Sequence, residues 1–296
     1  MMPKYSNFAI VASFFALWLD SFFSKEIQII TGFLLIFSFG ILHGANDLQL
    51  IDKISPKKDP KSFYKILSYY ITVVFAGSIL FYLLPELALL LFIIVSAYHF
   101  GEQQWQNLED LKPEWIKYLF QFVYGLLILL LLFSFHVNEV QKIVFEITAV
   151  NFPSQYILLL LEIFGILFIA ICVYLYIYVE NFKSYIFTEL FYLLVFAVIF
   201  RVSSLIWGFA IYFIVWHSIP SMIDQIKFLN GSFNFNNFKK YMRSGFIYWI
   251  ASLFGIALLY LVFRDEKIFN ALFFSFLAAI TFPHALVILK MFGRKD

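Results

Sequence analysis

The chain has 296 residues, of which 62% are hydrophobic, 22% aromatic and only 14% charged, against about 25% charged in an ordinary soluble domain. A net charge of +2 excludes a strong electrostatic case for nucleic acid. The single cysteine, Cys172, excludes an internal disulfide and any cysteine-rich metal site. What remains is the all-α class: one polytopic integral membrane helix bundle, a single transmembrane domain over residues 1–296 with about ten segments.

In chain order, apolar stretches of membrane length predict spans at 8–24, 27–51, 64–85, 87–104 and 115–135. Five more follow at 154–179, 185–200, 202–222, 245–263 and 268–289. The first, within MMPKYSNFAIVASFFALWLDSFFSKE, has one early lysine and no convincing small-residue cleavage site, so it reads as a retained span. The second ends in GILHGANDLQL (40–50), where His43, Asn46 and Asp47 interrupt an apolar run. Such groups mean either that the helix end reaches water or that they do the chemistry. Span five ends at His136, which reads as a loop residue. The longest polar loop, NGSFNFNNFKKYMR (230–243), separates spans eight and nine.

The basic segments are DKISPKKDPK (52–61), the 227–243 loop and the tail KMFGRKD (290–296). With ten spans all three fall on one side, which the positive-inside rule makes cytoplasmic, with both termini inside a cell membrane. The acidic loop EDLKPE (109–114) shares that side, and acidic residues contribute little to the rule.

Four of the five histidines, His43, His99, His217 and His284, lie toward the C-terminal ends of spans two, four, eight and ten. Even-numbered spans run the same way, so these four share one half of the membrane. Each precedes a charged residue by ten positions (Lys53, Glu109, Lys227, Arg294), a rise of about 15 Å. Ionisable residues inside spans are expensive and usually functional, and neutral imidazole is the commonest metal ligand. A metal held by all four would satisfy four buried polar groups at once. Asp47, Glu102 and Asp224 follow His43, His99 and His217 by four, three and seven positions. They can share a helix face with those histidines and accept their second ring N–H. Alternatively they mark helix ends. Pro220 and Pro283 would free the carbonyls of Trp216 and Ala279, while Gly44 and Gly101 permit close helix approach. Asp20, Glu162 and Glu189 also fall in or near spans, with no partner legible in the sequence.

HGAND (43–47), YHFGEQ (98–103), WHSIPS (216–221) and FPHALVI (282–288) occur in an order and spacing that resembles the Brp/Blh family of bacterial and archaeal β-carotene 15,15′-dioxygenases. Two positions depart from that family's pattern: Ser221 stands where its third motif has a second histidine, and Gln104 where an aspartate is usual. The resemblance implies cleavage of β-carotene by O₂ at its central double bond, giving retinal for a microbial rhodopsin. It also implies Fe(II) held by His43, His99, His217 and His284, with Asp47 orienting His43 and Glu102 beside the site. From the residues alone, a bis-histidine haem electron carrier and a metal-free transporter or lipid-binding protein remain open.

Overall fold

The computed structural model describes residues 3–54, 60–106, 108, 111, 113–262 and 266–292, and every regular element among them is helical. The helices are α1 Pro3–Asp20, α2 Lys25–Leu35, α3 Ile41–Gly44, α4 Asp47–Ile54, α5 Pro60–Leu83, α6 Pro85–Gln104 and α7 Glu114–Phe135. They continue as α8 Val137–Thr148, α9 Gln155–Tyr178, α10 Glu180–Val202, α11 Leu205–Ile211, α12 Ile219–Asn230, α13 Phe235–Val262 and α14 Glu266–Phe292. Two π-helical stretches, Ile36–Gly40 and Tyr212–Ser218, lead into α3 and α12. Residues 55–59 of the basic segment, Glu109 and Arg294 lie outside the described residues.

Among the described residues the ten expected apolar segments fall largely, though not wholly, on helix. Seven of the resulting helices are long and apolar enough to cross a membrane: Lys25–Ile54, Pro85–Gln104, Glu114–Phe135, Gln155–Tyr178, Glu180–Val202, Leu205–Asn230 and Phe235–Leu258. Tyr5–Asp20, Leu67–Leu83 and Phe276–Phe292 are apolar but shorter. The structure therefore yields seven membrane-length helices among the described residues, where ten were expected. It also adds one helix the apolar pattern did not show. α8 is amphipathic and follows α7 after His136, whose Nδ1 lies 3.0 Å from Glu139 Oε2 and whose Nε2 lies 2.8 Å from the Phe200 carbonyl.

Helix limits follow local chemistry. Asn234 Oδ1 accepts the Asn237 N–H at 2.9 Å and caps the start of α13. Gly231 ends α12 in the left-handed conformation, φ +83°, which an L side chain adopts only with strain. Glu114 opens α7, where a carboxylate complements the helix dipole.

The chain sorts into two compact units, each assembled from separate stretches. The first comprises Met1–Leu34, Ser96–Lys142 and Asn151–His217; the second comprises Leu35–Val95, Ile143–Val150 and Ser218–Asp296. In the first, α7 packs on α9 and α10, and α10 also meets α1 and α11. Its core is aromatic: Phe120 stacks on Phe168, with Trp105, Tyr124 and Phe182 around them. In the second, α14 packs along α5 and α4, while α12 and α13 pack on α3. Leu50, Val287, Ile288 and Met291 form one of its buried clusters.

Candidate functional site

In the second unit the polar run of HGAND is wholly buried: His43 is 5% exposed, Asn46 1% and Asp47 2%. The helix-end-in-water reading of these residues is thereby overturned. α3 lasts only to Gly44, the chain turns at Ala45–Asn46, and α4 starts at Asp47. That break removes the continuous face on which the spacing would pair Asp47 with His43. Instead Asp47 Oδ1 lies 2.7 Å from Nδ1 of His284, on α14, and Oδ2 accepts the Tyr70 hydroxyl of α5 at 3.0 Å. A ring N–H on Nδ1 of His284 would donate to this carboxylate oxygen, since a carboxylate accepts and neutral imidazole carries one ring proton. The His43 and His284 rings meet edge to face, centroids 4.7 Å apart and planes at 89°.

Behind His43, α13 holds the turn. The fully buried Tyr241 places its hydroxyl 3.0 Å from the His43 carbonyl and 2.8 Å from Gln225 Oε1. Asn46 Nδ2 donates to the Tyr241 carbonyl at 3.1 Å, and Ser244 Oγ donates to Asn46 Oδ1 at 2.7 Å. Ser221 is also fully buried, its hydroxyl accepting Gln225 Nε2 at 3.1 Å. The serine that departs from the resemblance is therefore part of a hydrogen-bonded chain reaching the His43 backbone.

The first unit carries a second imidazole pair. His99, on α6, and His217, in the Tyr212–Ser218 π stretch, are each 1% exposed, with ring centroids 4.7 Å apart and planes at 80°. Phe213 stacks on His217 at 5.5 Å, and Phe100 meets it edge-on at 4.7 Å. Gln103, four residues after His99, donates Nε2–H to the His217 carbonyl at 3.0 Å. α6 can carry His99 here because it crosses α7 with backbones nearly touching. A Cβ on Gly101 would lie 1.7 Å from the Gln121 carbonyl oxygen, and one on Gly125 would lie 1.8 Å from that of Ala97. Gly44 is not crowded in this way, its nearest contact being His284 Nδ1 at 3.6 Å.

The carboxylates divide. Glu102 is buried, and its Oε2 has no hydrogen-bond partner among the described residues. Asp224, in the middle of α12, is partly exposed and pairs with Lys227 Nζ at 3.3 Å. Glu189 has partners that sequence reasoning missed: Gln104 Nε2 reaches its two oxygens at 2.8 and 2.7 Å, and the Tyr124 hydroxyl donates to Oε2 at 3.1 Å. Glu162 is exposed. Tyr70 and Tyr241 also went unnoticed in the sequence. In a chain with 18 tyrosines no local signal sets them apart.

The family model described as beta-carotene 15,15′-dioxygenase matches residues 34–292. The chain belongs to that family. No curated protein matches, and no solved structure does. The stretch matched to the dioxygenase family contains His43, His99, His217 and His284, together with Asp47, Tyr70 and Tyr241, and begins after α1. Family membership brings β-carotene and dioxygenase chemistry to a chain whose four buried histidines stand in two close pairs.

Proposed function

We propose that the protein is a multi-pass membrane enzyme that cleaves β-carotene at the central 15,15′ double bond with O₂, using Fe(II) held by His43, His99, His217 and His284. The carbon–carbon double bond breaks and each carbon leaves as an aldehyde with one oxygen atom, giving two molecules of retinal. The observation that carries the reading is the buried Tyr70–Asp47–His284 chain in a member of a dioxygenase family. A ligand histidine normally gives its other ring N–H to a carboxylate or carbonyl, which fixes the tautomer and raises basicity.

The donor set fits such an ion. Imidazole suits iron among the divalent metals. All four imidazoles are buried, and within each pair the ring centroids stand 4.7 Å apart, so each pair could offer an ion two neighbouring neutral donors. Ferrous iron, when bound, supplies O₂ activation. The chain's own groups do the rest. Asp47 and Tyr70 set the His284 proton on Nδ1, Tyr241 fixes the His43 backbone, and Gln103 fixes that of His217. Phe100 and Phe213 keep water from the His217 ring.

A membrane location suits a substrate that dissolves only in lipid. Seven membrane-length helices support it, as do the exposed apolar residues Ile166, Ile169, Val173 and Ile177 along α9. If the three shorter apolar helices also cross, the ten spans and the basic segments would put both termini on the cytoplasmic side, and a microbial rhodopsin is the natural recipient of the retinal. The test is expression in a β-carotene-producing host. Orange cells should bleach as retinal appears, the purified protein should carry stoichiometric iron, and His43→Ala should abolish both. Retinal output indifferent to His43→Ala would remove the site.

A further inference from the structure

α1 lies outside the stretch shared with the family, yet two of its side chains grip the segment that carries His217. The Tyr5 hydroxyl donates to the Val215 carbonyl. Trp216, directly before His217 and 3% exposed, donates its indole N–H to Ser13 Oγ at 2.9 Å. Ser13 is itself fully buried and donates to the Ala9 carbonyl at 2.8 Å, so its hydroxyl both accepts and donates. Tyr192 and Phe196 of α10 close around the other side of the Trp216 ring, centroids 5.1 and 4.9 Å away.

The Val215 carbonyl needs a foreign donor for a reason built into the chain. In an α-helix Pro220, which has no N–H, would leave the Trp216 carbonyl without its donor. Residues Tyr212–Ser218 are π-helical, and in that register carbonyl i pairs with the N–H of residue i+5. The carbonyl that Pro220 then strands is Val215, and Tyr5 supplies the missing hydrogen bond. A π turn is a rare, strained insertion that persists when its surroundings hold it. Here it turns the backbone at the residue before Trp216 and His217.

We propose that Tyr5 and Ser13 of α1 are positioning residues for His217: they hold the π-helical register that aims its imidazole. The proposal rests on His217 being a metal ligand, as in the function set out above. It assigns to α1 a role in the site that the family-matched stretch does not contain.

The test compares wild type, Tyr5→Phe, Ser13→Ala, Ser13→Thr, the double Tyr5→Phe/Ser13→Ala variant and His217→Ala, all full-length in detergent. Cobalt(II) replaces iron as the probe, and three quantities are read: metal retention against a chelator, the ligand-field absorption of bound cobalt, and the melting temperature of the metal-free protein. The double variant should hold cobalt about tenfold more weakly, the lower end of what the loss of an outer partner costs a metal site. Its ligand-field bands should shift while the melting temperature stays within a few degrees of wild type, and Ser13→Thr should restore the wild-type spectrum. Tyr5→Phe removes a single hydroxyl and should show the same shift in part, so the result stands even if the double variant fails to fold. Two outcomes overturn the proposal while sparing the iron site: His217→Ala loses cobalt but the α1 variants retain it with an unchanged spectrum, or those variants melt early with the spectrum unchanged. Wild-type cobalt binding by His217→Ala would remove that ligand, and the proposal with it.

Discussion

Asp47 is 2% exposed, and each of its oxygens has a hydrogen-bond partner, His284 for one and Tyr70 for the other. Replacing it with Asn keeps the shape but turns one acceptor into a donor facing a donor. A buried polar group stripped of its partner costs about 1–3 kcal/mol. Asp47→Asn should therefore lower stability by that amount in denaturant titrations and weaken metal binding by about 10- to 100-fold. Tyr70→Phe removes one hydrogen bond, worth about 0.5–1.5 kcal/mol, and should have the smaller effect on metal retention. Near-wild-type binding by Asp47→Asn would mean that the carboxylate does not serve His284. At this scale the chemistry was readable residue by residue and the pairing was not. Spacing along one helix assigned Asp47 to His43, while the turn at Ala45–Asn46 and the approach of α14 assign it to His284.

The crossing of α6 and α7 sets where His99 stands. Gly101→Ala or Gly125→Ala would drive a methyl group into a backbone carbonyl of the facing helix, which has no rotamer to change. The helices must part, and overpacking of this kind typically costs about 1–3 kcal/mol. Both variants should melt earlier and lose metal. Gly165 and Gly255, in α9 and α13, have nothing within 4 Å of an added Cβ. Alanine there should raise stability by up to about 1 kcal/mol, the difference in helix propensity. Equal effects at all four glycines would refute the close crossing. The apolar pattern located the helices well, because lipid-length hydrophobic runs are a strong signal. It could not show the two π stretches, since one inserted residue leaves the composition unchanged. Nor did it show α8, whose polar face hides it from a search for apolar length.

Over the whole molecule, large apolar side chains stand exposed on nearly every long helix, among them Phe75 on α5, Ile166 on α9, Phe187 on α10 and Phe254 on α13. Soluble monomers rarely expose contiguous apolar patches beyond a few hundred Å². The protein should therefore sediment with membranes, resist an alkaline carbonate wash and need detergent for release. Recovery in the soluble fraction would contradict the membrane reading. The two compact units are each built from separate stretches of chain, so no linker or change of composition could announce them.

The residues alone determined that the chain is helical, that it is rich in apolar runs, and that four of its five histidines fall within such runs. These follow from composition and from the cost of placing polar groups in an apolar span, neither of which needs a fold. Only tertiary structure decided which side chain serves which histidine. The donors and acceptors that hold His43, His217 and His284 (Tyr241, Gln103, Asp47 and Tyr70) come from helices distant in sequence. A hydrogen bond is fixed by distance and angle in space, and helix packing, not spacing along the chain, sets both.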